Sequence, residues 1–545
     1  MDMREELLRR TRVPKEYWPP ADGWPYVKPT NLVDWTEDFN LAQSLVERHL
    51  DQGRGNKTAI FFKDKSFTYR QLSQMSNKLG NSLKKIGIGI GDRIMLRMNN
   101  SPQFVISDLA IQKIGAIGIP TFVLLKASSL THIIKDSETK GIIVSAELLE
   151  EIEKCGMDLK RDIKVIVSGG TEAHREKGYF IWEKLVEEGA EELQIQKIYF
   201  HDVALIHYTS GTTGPPKGCI QTPVGLLGHV AGTVKTAGIR EEDILCISPP
   251  LPFAYGHAAL MYALYTGASC ILVERFTAED FLRAAEQNKA TVLVCVPTGY
   301  RMMLTEIPKY SLAGVRLLMA AGETFTEELE SALKEAFPGA NIFNFYGYTE
   351  IWNFIGTVPG VHPPTSLGLP YDGYEAKIVD ETTGEELPAG KVGTISARGA
   401  AGAFYWRLPN KQREVVRDGW FRSGDLAYRD EKGIVWFKAR DLDIIKSSGY
   451  LIAPYEIEDV ISRHPAVMMV GCIGIPDKVK GEIIGACIKL KHGYEPSEKL
   501  VNELTKFAEE RLEKYKVPKE WKFLEEMPTT ASGKVLRREL KEMGK

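Results

Sequence analysis

The sequence predicts an α/β fold: a large N-terminal domain of parallel or mixed sheets with crossover helices, then an antiparallel β subdomain and a small α+β C-terminal domain. Three observations lead there. Short apolar runs alternate with segments of helical period through the first two-thirds of the chain, which is the rhythm of parallel strands joined by crossover helices. From Tyr374 the pattern changes to short strands and turns. At Ala439-Arg440-Asp441-Leu442-Asp443 a charged link joins two apolar runs, which sets the domain limits at 1–439 and 440–545.

In chain order, residues 1–35 are rich in Pro, Trp and charge and read as an irregular arm, and 40–50 shows helical period. Residues 58–62 read as a strand, turned by Asp64-Lys65 into 66–69. A helix over 69–86 follows, closed by Gly87, Gly89 and Gly91. Strand, helix and strand recur at 93–98, 101–114 and 115–120. Further strands are expected at 142–144, 165–167, 203–206, 244–247, 269–273, 291–296 and 317–320, with a helix at 327–337. In the β subdomain, strands are expected at 375–379, 392–397, 420–422 and 434–438, with turns at 381–384 and 430–433. The C-terminal part shows a helix starting at 457–462, strands at 467–475 and 483–490, and a charged amphipathic helix over 497–514.

Bulk properties narrow the function. A chain of 545 residues exceeds one ordinary domain, and 43% hydrophobic content suffices for large cores. A net charge of −3 argues against nucleic acid or an anionic membrane as the main partner. The seven cysteines, at 155, 219, 246, 270, 295, 472 and 487, show no CxxC spacing. That suits reduced thiols in the cytoplasm better than a disulfide framework or a zinc site. Residues 1–12 lack the apolar core of a signal peptide, and the longest apolar stretch, 260–273, is interrupted and too short to span a bilayer.

The chemistry centres on Tyr208-Thr209-Ser210-Gly211-Thr212-Thr213-Gly214-Pro215-Pro216-Lys217-Gly218, which follows an apolar run. Small hydroxyl residues and glycines let backbone N–H groups converge on a polyphosphate, and Lys217 adds a positive charge. The Walker P-loop needs Gly-Lys-Ser/Thr, and Pro216 and Gly218 around Lys217 break that pattern. A Gly/Ser/Thr-rich surface turn is the bland alternative. The stretch resembles the phosphate loop of the adenylate-forming superfamily: acyl-CoA synthetases, luciferases and peptide-synthetase adenylation domains.

Further motifs extend the resemblance over nearly the whole chain. In Tyr346-Gly347-Tyr348-Thr349-Glu350, which alone is an ordinary strand exit, the family pattern implies that Tyr346 packs on adenine, Thr349 reaches the α-phosphate and Glu350 holds Mg²⁺. Gly322-Glu323-Thr324 resembles the segment bracketing the adenine face; Glu323 equally suits an N-cap of the following helix. Ser423-Gly424-Asp425 matches the ribose-binding turn, and Arg440 the family's second ribose contact. Singly, such an Asp is usually structural. Pro528-Thr-Thr-Ala-Ser-Gly-Lys534 resembles the loop whose lysine bridges the acyl carboxylate and the nucleotide. Lys446, Gly449 and Tyr450 match the thiol-side element, with Ser448 where some relatives carry a second lysine. At the hinge, the position aligned with Leu442 is often Asp or Lys in relatives, and Asp441 and Asp443 flank it here.

The resemblance implies an AMP-forming acid–CoA ligase working from ATP, Mg²⁺, coenzyme A and a small-molecule carboxylic acid. An acyl-adenylate forms first; the small domain then rotates, withdraws Lys534 and admits the thiol. Run and length are most similar to the benzoate, 2-aminobenzoate and medium-chain acid CoA ligases. Expected pocket residues are His207, Tyr255, His257, Ala320, Tyr348 and Trp352. Tyr255 occupies a gating position often held by His. Trp352 is bulky enough to shorten an acyl tunnel, and equally suits a core aromatic. His207 suits a bond to a substrate hydroxyl or to a backbone group. Aryl, medium-chain and short hydroxy acids stay open. So do a non-CoA acceptor, an ATP hydrolase and a silent binding protein, and a homo-oligomer is compatible with the sequence.

Overall fold

Uninterrupted apolar runs such as Leu317–Ala321, buried at all five positions, become strands covered on both faces. The computed structural model describes residues 17–18, 23, 31–33, 39–156, 163–199, 201–209, 215–400, 402, 404–440, 443, 445–447, 450–452, 454–477, 481–529 and 535–543. Contacts divide the chain into two units: Met1–Ala376 with Ser396–Arg422, and Lys377–Ile395 with Ser423–Lys545.

The first unit holds two large mixed sheets, the α/β architecture expected. In the nine-stranded sheet the spatial order is Leu369–Pro370, Trp352–Gly356, Asn341–Tyr348, Leu317–Ala321, Val292–Cys295, Ile244–Ile247, Ser269–Leu272, Thr58–Phe62 and Lys65–Thr68. Its interior ladders are parallel, and antiparallel hairpins close both edges. The eight-stranded sheet runs Phe404–Tyr405, Lys217–Gln221, Leu205–Thr209, Ile117–Pro120, Arg93–Arg97, Gly141–Ser145, Lys164–Ser168 and Phe180–Ile181. It is parallel from Leu205–Thr209 onward. Helix starts follow side-chain capping: Thr68 and Gln71 form a capping box for Tyr69–Lys85, and Ser101 and Thr222 cap Pro102–Lys113 and Pro223–Ala237.

In the second unit the strands Tyr450–Ile452, Ile445–Ser447, Gly481–Leu490 and Val467–Asp477 form an antiparallel sheet. Glu520–Phe523 adds to it in parallel. Ile457 and Ile461 from helix Pro454–Ser462 and Leu500 and Leu504 from helix Glu498–Glu509 share a core with Ile484 and Ile488. The link at 439–440 lies inside this unit.

Two local expectations need correction. The amphipathic helix stops at Glu509 and not at 514, because its apolar stripe of Leu500, Leu504 and Ala508 ends there. Ser423-Gly424-Asp425 is not a turn: the strand expected over 420–422 continues as Trp420–Arg429, and Gly424 takes a φ of +73° within it.

Candidate active site

The described ends of the Tyr208-to-Gly218 stretch belong to two paired strands. Strand Leu205–Thr209 pairs antiparallel with Lys217–Gln221, and Thr209 faces Lys217 at the mouth. Ser210, Gly211, Thr212, Thr213 and Gly214 lie outside the described residues. The shoulders are tied to helix Ala127–Ser137. Tyr208 donates its hydroxyl to Asp136 (2.6 Å), and His132 donates Nε2–H to the Pro216 carbonyl (2.9 Å). Trp406 Nε1 donates to the Asp136 carbonyl (2.9 Å). Burial and the adjacent Asp136 raise the Tyr208 pKa, so its hydroxyl stays a donor.

The Thr-Glu motif sits in a second hairpin, between Asn341–Tyr348 and Trp352–Gly356. Gly347 is required there: a Cβ would lie 1.9 Å from the Trp352 carbonyl oxygen across a bulge. Two side chains join this hairpin to the first. Gln221 Nε2 donates to the Thr349 carbonyl (2.6 Å), and Tyr405 donates its hydroxyl to Glu350 Oε1 (2.7 Å). Tyr405 stands on an edge strand paired with the loop's return strand, opposite Cys219. The strands flanking the loop and the Thr-Glu turn, far apart in sequence, are thereby held side by side. Neither Gln221 nor Tyr405 was expected from the sequence, since only the non-local strand pairing brings them to the motif.

Gly322 has a φ of +87°, a left-handed conformation that glycine tolerates. Glu323 is not the N-cap of the following helix. Thr326 caps Glu327–Ala336 through the Leu329 N–H, whereas Glu323 accepts from the backbone N–H (2.8 Å) and hydroxyl (2.7 Å) of Thr298. It thus serves the first turn of another helix, Pro297–Met303. Thr324 lies half-buried in the same bend.

The expected pocket residues separate into groups. Ala320 packs into the core with Leu293, Cys295 and Leu318. Tyr255 is anchored: its hydroxyl donates toward the Met319 (3.0 Å) and Cys295 (3.2 Å) carbonyls, and burial raises its pKa. Tyr348 rings with Tyr346, Phe354 and Phe421. His207, His257 and Trp352 do come together. Their ring centroids are 5.6 Å (His207–Trp352), 5.7 Å (His207–His257) and 6.1 Å (His257–Trp352) apart. A fourth ring, His229, unexpected from the sequence, lies 5.3 Å from Trp352. Trp352 adopts a φ of +56°, uncommon for a bulky residue, so the backbone spends strain to seat this indole.

The second unit carries the remaining motifs. Asp425 and Arg440 are direct partners across the ladder of Trp420–Arg429 and Val435–Arg440. The Asp425 N–H donates to Ser423 Oγ (3.0 Å). Lys446 pairs with Leu451, and Tyr450 with Ser447, in a short antiparallel hairpin. Asp443 pairs with Arg537 (3.1 Å), which also grips Glu458 (2.6 Å). Gly449 and Lys534 lie outside the described residues; Thr529 and Val535, on either side of the Lys534 stretch, form an isolated bridge.

Comparison with known proteins agrees with this arrangement. Residues 46–404 match the AMP-binding enzyme family and residues 456–534 its C-terminal domain. The chain belongs to the AMP-binding enzyme family. It is 32% identical to the acetyl-coenzyme A synthetase of Bacillus subtilis, over 93% of this chain and 91% of that one. With 4-hydroxybutyrate–CoA ligase 1 of Metallosphaera sedula it shares 29% over 92% and 90%. The crystal structure of an anthranilate CoA ligase bound to anthranoyl-AMP superposes with a TM-score of 0.87 at 32% identity, covering 94% and 99% of the chains.

This AMP-binding enzyme is therefore an AMP-forming acyl-CoA synthetase of the adenylate-forming superfamily, a ligase that uses ATP, Mg²⁺ and coenzyme A. The residues fit the metal. Among those described, no three His, Cys, Asp or Glu side chains converge as a metal cage. Glu350, a lone half-exposed carboxylate oriented by Tyr405, suits an ion that takes one or two carboxylates and completes its shell from phosphate and water. No helix among the described residues is long and apolar enough to cross a membrane.

Proposed function

We propose that this ligase activates a compact carboxylic acid and transfers it to coenzyme A. The carrying observation is Trp352, seated against His207, His229 and His257 beside the Thr-Glu turn. An indole held there leaves little room for a long acyl chain. Relatives are named for acetate, 4-hydroxybutyrate and anthranilate, and one at 31% identity for long-chain fatty acids, so the choice of a small acid rests on Trp352.

In this reading the loop from Thr209 to Lys217 binds the β- and γ-phosphates, and Thr349 with Tyr346 and Gly322–Thr324 orients AMP. Asp425 and Arg440 take the ribose hydroxyls. Glu350 would hold Mg²⁺, which when bound offsets the charge of the pyrophosphate leaving group. Lys534 steadies the carboxylate oxygen as it attacks the α-phosphorus. Residues 440–545 then turn about the link, and Lys446, Gly449 and Tyr450 present the thiol path. The thiolate displaces AMP from the acyl carbon. The free state of all seven cysteines supports a cytoplasmic setting.

An acid panel tests this, from acetate through octanoate with benzoate, 2-aminobenzoate and 4-hydroxybutyrate, following AMP and pyrophosphate. AMP release requiring both acid and CoA, greatest for compact acids, is the expected result. Trp352→Gly should move the optimum to longer acids. Pyrophosphate exchange without CoA-dependent turnover would point to another acceptor, and ADP would end the reading.

A further inference from the structure

The rings around Trp352 differ in how their nitrogens are satisfied. His229 is complete. Its Nδ1 meets the Asn353 carbonyl (2.9 Å), so that nitrogen carries the proton. Its Nε2 accepts from the Tyr262 hydroxyl (2.8 Å), which accepts in turn from Asn353 Nδ2 (3.1 Å). His257 is half complete. Nε2 faces Asp108 Oδ2 at 3.3 Å, and among the described residues Nδ1 has no partner. Among the described residues, both ring nitrogens of His207 lack a partner, and so does the indole Nε1 of Trp352. All three side chains are interior: His207 is 3%, His257 1% and Trp352 2% exposed.

An unmade buried hydrogen bond costs about 1–3 kcal/mol, so three such rings meeting by chance is an expensive arrangement. The unmet groups are two N–H donors, one on His207 and one on Trp352, a lone pair on His207, and the open Nδ1 of His257, with Asp108 Oδ1 unpartnered beside it. Burial keeps His207 neutral, and no Lys or Arg is hydrogen-bonded or ion-paired to these three rings among the described contacts. A second carboxylate on the substrate would therefore find no counter-charge, and an alkyl tail would leave every one of these groups unmet. A hydroxyl, one donor with two lone pairs, can accept from both N–H groups and donate to an open ring nitrogen at once.

We propose that the triangle of His207, His257 and Trp352 recognises an uncharged hydroxyl, so that the preferred substrates are short hydroxyl-bearing acids. This rests on the ligase reading above and specifies its acid.

The test compares isosteric pairs in CoA-dependent AMP release: 4-hydroxybutyrate against pentanoate, and 3-hydroxypropionate against butyrate. For at least one pair the hydroxy acid should show kcat/KM at least about tenfold higher, which corresponds to about 1.4 kcal/mol. His207→Phe, which removes both nitrogens, should bring that ratio to about one or below, whereas His207→Gln, which keeps a donor and an acceptor, should retain a preference. If the wild-type enzyme turns over alkanoates as well as their hydroxylated isosteres, the proposal is overturned while the ligase reading stands, and the unmet nitrogens serve water. If no acid supports AMP release, both fall together. Should His207→Phe not fold, the wild-type ratios and His207→Gln still decide.

Discussion

Replacing Tyr405 by Phe removes one oxygen, the donor that Glu350 accepts from at 2.7 Å. The ring stays packed, 6% exposed, on its edge strand, so little else changes. Burial and the neighbouring carboxylate raise the Tyr405 pKa, which keeps the hydroxyl protonated and donating at any assay pH. A hydrogen bond to a charged acceptor contributes about 1.5–3 kcal/mol, or roughly ten- to a hundredfold in an equilibrium constant. Loss of a partner that orients a metal ligand costs a similar factor in metal affinity, about 10–100-fold. Glu350 is half-exposed and can take up water in exchange, which favours the lower end. Pyrophosphate release titrated with Mg²⁺ at saturating ATP and acid should show half-saturation raised about tenfold or more, with the maximal rate nearly restored at high Mg²⁺. Glu350→Ala should raise the requirement more steeply. An unchanged Mg²⁺ curve for Tyr405→Phe would confine that tyrosine to holding the turn, and unchanged curves for both would remove Glu350 from the metal site.

Three further outcomes are expected. Lys534→Ala should abolish acyl-adenylate formation yet largely spare thioester formation from preformed acyl-AMP; equal loss of both half-reactions would sink domain alternation. Glu323→Ala strips two hydrogen bonds from the first turn of Pro297–Met303 and should lower unfolding free energy by about 1–2 kcal/mol in urea titrations. Stability should also depend on pH through the buried histidines. Burial lowers the His229 pKa from 6.5 to about 4, so between those values the unfolded chain binds a proton that the folded one does not. The stabilisation is complete above 6.5 and is lost as pH falls toward 4, by up to about 3 kcal/mol for this residue. His207 acts in the same sense. Urea midpoints that stay flat from pH 7 to 4 would contradict neutral burial.

Much of this protein was determined by local sequence alone. Apolar runs, glycine-closed helices and Thr or Ser caps are near-neighbour physics, so the strands and helices fall close to where period and capping place them. The phosphate-loop stretch, the Thr-Glu turn, Asp425, Arg440 and the Lys534 stretch are contiguous motifs that follow one another along the chain, and the family follows from them. Other features depend on partners far along the chain. Tyr405 reaches Glu350 only because Phe404–Tyr405 joins the edge of the loop's sheet, and Glu323 finds Thr298 only after parallel strands align their two helices. The pocket shows the same division. Sequence placed His207, Tyr255, His257, Ala320 and Trp352 near the motifs, but burial and hydrogen bonding decided their fates: Ala320 to the core, the Tyr255 hydroxyl to backbone carbonyls, and three rings left with unmet nitrogens. Strand pairing and packing set which polar atoms are satisfied, and a linear pattern of residue types carries no record of that.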